Sequence, residues 1–426
     1  MKHVILKGIG APFFAGIVFL LVTTSCCLRS TQEPDPIVDP ILIPGEEEVR
    51  DNIITIVTEK PVGSTLAFTY KVDESVNFPF EVEEGLKEGV WTEKGGRHYW
   101  VYTVTQPIIK LKGPITVLDL STRTDADLNE LEESNRIKSI VVSPTTFLKS
   151  LIYNNSHLTE KPTLEYVNVS KAPNLAYLLV PHSKLTSLDV TQNRKLYSFY
   201  CNDNQLTDLD LSQNALLNTL SVSNNPLKRI DVRHMTRLNV LECHSCELAA
   251  LDLTHNRELS HIDVRWNALT TLDVRNNRNL QTLTASVNRL QTIYLGEHPH
   301  LSILELDDNQ LTHLDLSGLP VLRSLYCYRN QLSKLDLSHS SKLFHVACFE
   351  NKIVGKSMTQ MVASLPIRGE KSKIAIVNPL AERELNSCLK SDVAIATERN
   401  WTCYQVAKTF DWDFNFYTHG AVYEGK

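Results

Sequence analysis

Leucine returns at a constant separation of 21 residues through the middle of the chain, at positions 175, 196, 217, 238, 259, 280, 301, 322 and 343. A second apolar column keeps the same spacing from Leu185 through Leu206, Leu227, Leu248, Leu269, Leu290, Leu311 and Leu332 to Ile353. Between them runs a column of small or medium apolar residues, Val180, Cys201, Val222, Cys243, Val264, Ala285, Leu306, Cys327 and Cys348. A polar column follows: Asn204, Asn225, Cys246, Asn267, Asn288, Asn309, Asn330 and Asn351. One unit cannot bury its apolar side alone, so successive units must stack with like columns in register and form one continuous core. The alternation around each third column predicts a short strand, and the Asn column marks the turn out of it, where a side-chain amide can satisfy backbone groups that the turn would orphan. Twenty-one residues leave little room for a helix in the second half, as in LTDLDLSQN, so short strands or extended turns are expected there.

Written from Leu322, the unit LRSLYCYRNQL fits the leucine-rich-repeat pattern, with SKLDLSHSSK as its second half. The repeats resemble the cysteine-containing 21-residue repeats of internalin-type proteins, and the layout resembles leucine-rich-repeat surface lipoproteins of a Bacteroides-type group. The resemblance covers residues 164–354 and implies a leucine-rich-repeat solenoid, mostly β, with a curved parallel sheet. The flanks resemble the same group. Residues 52–120 alternate in short runs such as Ile53 to Thr58, Leu66 to Val72 and Tyr99 to Val104 and predict a β-rich N-terminal domain. Residues 121–163 contain a helical-looking DADLNELEES and the remnant IKSIVVS, read as degenerate first repeats. Residues 355–426 break the period and predict an α/β cap: a helix in KSMTQMVASLP, a strand in KIAIVNP, a helix in ERELNSCLKSDVAIATERN and a strand in WTCYQVA.

The N-terminus carries an address. Lys2, His3 and Lys7 precede an apolar run from Gly8 to Val22, which ends in Thr23-Thr24-Ser25-Cys26-Cys27. The run is shorter than the roughly 18 residues a membrane span needs and Pro12 interrupts it, so residues 1–25 read as a signal peptide. Small residues leading into a cysteine resemble the lipobox of bacterial lipoproteins, which implies cleavage before an acylated cysteine, palmitate being among the chains expected. Cys26 is the anchor this places, with Cys27 as the alternative. Residues 26–51 hold prolines at 34, 36, 40 and 44 among acids and predict an extended tether. The chain is therefore expected on the bacterial outer membrane, lipid-anchored and facing the cell surface.

The 426 residues carry a net charge of −6 with Lys and Arg scattered, which argues against a nucleic-acid partner. Cys201, Cys243, Cys327 and Cys348 stand where other units have Val, Ala or Leu and read as small buried hydrophobes, and both cysteines of Cys243-His244-Ser245-Cys246 fall in repeat columns, so no metal site is expected. Cys388 and Cys403 are the candidates for a disulfide. An aspartate ladder, Asp189, Asp210, Asp231, Asp252, Asp273, Asp315 and Asp336, would repel unless its carboxylates were hydrogen-bonded to turn amides or bridged by calcium. No nucleophile-elbow, zincin or phosphate-loop motif is present, and neither an enzyme nor a cofactor is expected.

What remains is the face made by the residues between the columns. Tyr326, Tyr328, Arg329, Phe349 and Glu350 lie on adjacent strands with the aromatic-plus-Arg composition of interaction hot spots, and His244, His261, Arg265 and Trp266 form a second group. The leading expectation is a non-enzymatic lipoprotein that binds a protein or glycan through this face, in adhesion or host interaction. A periplasm-facing envelope scaffold is the alternative and an enzyme of unknown class comes third.

Overall fold

The computed structural model describes residues 52–94, 97–121, 135–154, 162–406 and 421–426. The leader, the tether with Cys26 and Cys27, and the helix-like stretch 125–134 lie outside these residues.

Each 21-residue unit folds as the columns require. The first half gives a three-residue strand: β11 Tyr177–Leu179, β12 Ser198–Tyr200, β13 Thr219–Ser221, β14 Val240–Glu242, β15 His261–Asp263, β17 Thr282–Thr284, β19 Ile303–Glu305, β20 Ser324–Tyr326 and β21 His345–Ala347. Neighbouring strands pair in parallel with residue i opposite i+21, as Phe199 with Leu220 and Leu241 with Ile262. Like columns are thereby superposed, and the Leu, Val and Cys residues of all three apolar columns are buried in one cluster. The second halves are extended turns except where β16 Thr271–Asp273 pairs with β18 Thr292–Tyr294. The molecule is a leucine-rich-repeat solenoid.

The columns also account for the turns. The Nδ2 of Asn225 donates to the carbonyls of Cys201 and Val222, and its Oδ1 accepts from Leu206 N–H, so one buried amide ties two units together. Asn288, Asn309, Asn330 and Asn351 repeat this triple arrangement. Cys246 keeps only part of it, donating from Sγ to the Val222 carbonyl at 3.3 Å. A second ladder that the columns above did not include stands in the other half of the unit: Asn193, Asn214, Asn256 and Asn277 each donate to two carbonyls of the preceding unit.

The solenoid is joined to the N-terminal elements through both of its walls. β1 Ile53–Thr58, β3 Glu81–Glu84, β6 Ile108–Lys112, β8 Ile137–Val142 and β10 Tyr166–Asn168 form a five-stranded sheet in the order β10-β8-β1-β6-β3. β2 Thr65–Val72, β4 Leu86–Lys94, β5 Arg97–Val104, β7 Ile115–Asp119 and β9 Ser150–Ile152 belong to the long sheet, whose order there is β11-β9-β7-β2-β5-β4. Ile54 and Ile56 from one sheet and Leu66, Phe68 and Leu118 from the other share the core with the repeats. The segment IKSIVVS is β8, antiparallel to β1 and parallel to β10.

At the other end the count of 21 stops at Ile353, yet strand pairing does not. His345 pairs with Lys373 of β22 Ser372–Val377, and Lys373 with Thr402 of β23 Trp401–Gln405, in two larger units of 28 and 29 residues. The extra length forms helices on the opposite wall, α1 Lys356–Ser364 and α2 Lys390–Glu398. Met358, Met361 and Val362 of α1 enter the common core. Asn386 takes over the Asn column, donating to the Cys348 and Ile376 carbonyls and accepting from Ile353 N–H. The asparagine survives in the cap after the leucine spacing has gone.

Candidate functional site

Strand alternation divides each three-residue strand into a central side chain that enters the core and two flanking ones on the outer sheet face. Along that face the flanking residues change from unit to unit: Ser198 and Tyr200, Thr219 and Ser221, Val240 and Glu242, His261 and Asp263, Thr282 and Thr284, Ile303 and Glu305, Ser324 and Tyr326. Two residues past each strand the face continues, and the next residue turns the chain. That turning residue has positive φ in nine successive units, at 49° to 57°: His182, Asp203, Asn224, Ser245, Trp266, Val287, Asp308, Arg329 and Glu350. None is glycine, although glycine carries the least strain there. The Asn column, one residue on, is the sequence signal of this turn.

The predicted aromatic cluster assembles, but not as an exposed patch. Tyr328 and Phe349 stack with ring centroids 4.5 Å apart. With Ala347 and Ala375 they form a second, small apolar cluster outside the main core, against which Tyr326 and Val406 pack. Phe349 is 0% and Tyr328 6% exposed, and Glu350 is 3%. The expectation that these three stand clear on the surface is corrected: they lie where the chain leaves β23 at Val406, and the larger cap units add apolar neighbours that the 21-residue spacing did not anticipate. Tyr326 keeps partial exposure. Arg329 bridges Asp308 at 3.3 Å and Glu350 at 3.4 Å, and Arg383 from the cap contacts the same two acids, so four charges lock this end of the face. Glu384 accepts from the backbone N–H groups of Glu350, Asn378 and Asn386 beside them.

The second predicted group lies nearer the middle. His244 and His261 are partly buried, and burial lowers the basicity of both imidazoles. Arg265 clamps Asp263 at 2.8 Å. Trp266, in the strained turn, is 48% exposed. Around them stand acids that composition alone did not single out: Glu242, Asp263, Glu305 and Asp307. Burial pushes the Glu242 carboxyl up to about 7, Glu305 to about 8 and Asp307 to about 6, with neighbouring acids adding to the rise at each. Their positions follow from the same alternation that placed Tyr326, so the period contained this cluster too.

The aspartate ladder has a structural role. Asp189 accepts from Thr191 N–H, Asp210 from Ser212, Asp231 from Arg233, Asp252 from Thr254, Asp273 from Arg275, Asp315 from Ser317 and Asp336 from Ser338. These bonds hold the carboxyls of Asp210, Asp252, Asp315 and Asp336 below the usual carboxylate range. Cys201, Cys243, Cys327 and Cys348 are fully buried free thiols whose ionisation burial opposes. Cys388 and Cys403 are also buried and free, not joined to each other. A cleft of about 590 Å³ opens on the opposite wall between α1 and the turns at Asp315 and Asp336, lined by His313, Lys334, His339 and Gln360 among others.

No protein-family model and no curated protein matches the chain. Among solved structures it is similar to the functional domain of InlJ from Listeria monocytogenes, which includes a cysteine ladder, at 22% identity over 66% of this chain and 79% of that one, with a TM-score of 0.37. YopM from Yersinia enterocolitica is 22% identical over 58% of this chain, which spans 50% of that protein, with a TM-score of 0.40. An internalin C2 from Listeria monocytogenes is 23% identical over 39% of this chain and 68% of its own, with a TM-score of 0.30. These are likenesses of fold and of nothing finer.

Proposed function

We propose that the chain is a non-enzymatic binding module that presents the outer face of its long sheet to a protein, and that a lipid on Cys26 holds it at the outside of a bacterial outer membrane. The observation that carries this reading is the contrast between columns. The apolar columns repeat the same chemistry over nine units and the turn repeats the same backbone geometry, while the flanking positions of the same strands change from Ser and Thr to Tyr, His, Glu and Asp. A rigid scaffold with variable outward side chains is the arrangement recognition requires. Glycan is the second ligand class in this reading. The residues that would carry contact are Trp266, His261, His244, Arg265 and Tyr326, with Tyr328, Phe349, Glu350 and Arg329 shaping one end.

A photo-crosslinking residue placed at Tyr326 or at Trp266 in the full-length chain, in cells of its own bacterium, should capture a discrete protein. One placed at the exposed Tyr166 of β10, on the other wall, should not. Equal capture from both walls, or from neither, would refute the binding face. A captured species that resists protease and is removed by glycosidase would transfer the reading to glycan. Protease shaving of intact cells tests the address: cleavage between Pro34 and Pro44 places the repeats outside, and protection until the outer membrane is opened would favour the periplasmic scaffold.

A further inference from the structure

The centre of the sheet face carries more carboxyls than cations. Glu242 of β14 and Asp263 of β15 are opposed on adjacent strands. Thr284 of β17 separates Asp263 from Glu305 of β19 in the same row. Asp307, two residues past Glu305, accepts from Ser286 Oγ at 2.6 Å. Four carboxyls therefore share a patch three strand spacings wide, and one guanidinium, that of Arg265, acts on all of them from its clamp on Asp263. The other charged groups nearby do not restore the balance. Arg329 is engaged with Asp308 and Glu350. Burial disfavours the charged form of His244 and His261, and the phenols of Tyr200, Tyr326 and Tyr328 carry no positive charge. Trp266, the residue after Arg265, is half exposed at the turn.

We propose that this part of the sheet face docks a cationic protein segment, a Lys or Arg side chain entering among Glu242, Glu305 and Asp307 while an apolar neighbour of that side chain lies against Trp266. The inference rests on the binding-module reading and adds the chemistry of the partner. Charge complementarity selects the occupant: buried carboxyls with one counter-charge gain most from an added cation, and an exposed indole on the same face accepts the apolar stem of Lys or the plane of Arg. Because Glu242, Glu305 and Asp307 hold protons more tightly than free carboxyls, an arriving cation expels protons. Binding then strengthens as pH rises from 5 to 8.

The test uses the full chain with hexalysine and hexaglutamate peptides, titrated calorimetrically at pH 8 and low salt in two buffers of different ionisation enthalpy. Hexalysine should bind with proton release, and hexaglutamate should not bind. Glu305→Gln combined with Asp307→Asn should weaken hexalysine at least about tenfold, and Trp266→Ala should weaken a lysine peptide containing leucine more than hexalysine. Glu258→Gln combined with Glu297→Gln, two exposed acids away from the patch, should change nothing. Absent hexalysine binding, equal binding by the Glu305 and Asp307 variant with its circular dichroism intact, or abolition of peptide binding by millimolar calcium would each overturn the proposal. Failure of the broader reading looks different: hexalysine binds this patch as described while crosslinkers at Tyr326 and Trp266 capture no protein in cells.

Discussion

Replacing Asn225 by Ala removes a side chain that is fully buried and makes three hydrogen bonds to the backbone, two of them to the preceding unit. Its amide donates to the carbonyls of Cys201 at 3.0 Å and Val222 at 2.9 Å and accepts from Leu206 N–H at 3.0 Å. Alanine leaves the Leu206 N–H without a partner in a water-poor interior, while the Cys201 carbonyl keeps the Asn204 amide and the Val222 carbonyl keeps the Cys246 thiol. At the lower end the orphaned donor costs about 1 kcal/mol and each of the two lost donations about 0.5 kcal/mol, about 2 kcal/mol in all, and the upper end is about three times that. The chain contains its own control. Cys246 occupies the equivalent position one unit on and retains a donor, its thiol reaching the Val222 carbonyl. Asn225→Cys should therefore cost less than Asn225→Ala by about 1 kcal/mol, the worth of one restored donation. Urea unfolding followed by far-ultraviolet circular dichroism and by tryptophan fluorescence measures both variants, and coincidence of the two signals tests whether the stack unfolds as one unit. A loss below about 1 kcal/mol for Asn225→Ala, or a cysteine variant no better than alanine, would refute the claim that the ladder amide holds the units in register.

Three further outcomes follow from the same packing. Leu259→Ala, at a fully buried column position, should cost about 2–5 kcal/mol through the cavity it leaves, read as a shift in urea midpoint at constant m-value. Val287→Gly should stabilise by roughly 0.5–1 kcal/mol: Val287 sits at φ 54°, a left-handed conformation costing about 1–2 kcal/mol, and glycine's greater freedom in the unfolded chain offsets part of the gain; a melting temperature that falls would show that the side chain is needed. The pH dependence should contain two opposed contributions. His298 is buried and its basicity is lowered by burial, so the unfolded chain binds the proton more readily and stability falls as pH drops below about 6.5. Glu305 has the reverse sign: its folded carboxyl is raised to about 8, so its contribution is full below the unfolded value of 4.5 and is lost as pH rises through 8. His298→Asn should flatten the acid limb and Glu305→Gln the alkaline limb of a stability–pH curve; unchanged limbs would contradict these environments.

The period of 21 was enough to place the strands, the Asn ladder, the buried cysteines and the turn-bonded aspartates, because each of these is repeated and repetition averages out local ambiguity. Two things were harder to read. The second Asn ladder at 193, 214, 256 and 277 is interrupted by Met235 and His298, so it lacks the unbroken run that made the first one visible. The fate of Tyr328 and Phe349 depends on the larger units after Ile353, where α1 and α2 replace short turns, and no repeat precedes them from which that geometry could be copied. The acid patch followed from strand alternation, yet its significance is a sum of charges across four strands.

The way the chain enters the fold has a mechanical consequence. The first strand, β1, is the central strand of its sheet, with five residue pairs to β6 on one side and five to β8 on the other, all antiparallel. Tension transmitted through the residues before Asn52 therefore runs along β1, across ladders whose hydrogen bonds lie perpendicular to the pull. Both ladders are loaded in shear, so many bonds resist together; an edge strand would be peeled from its neighbour one bond at a time. Since β8 pairs with β1 and β10 of the first repeat unit pairs with β8, the load is passed on by strand pairing toward the repeats. Were the chain anchored at its N-terminus and pulled through its sheet face, as proposed above, the fold would resist opening at β1.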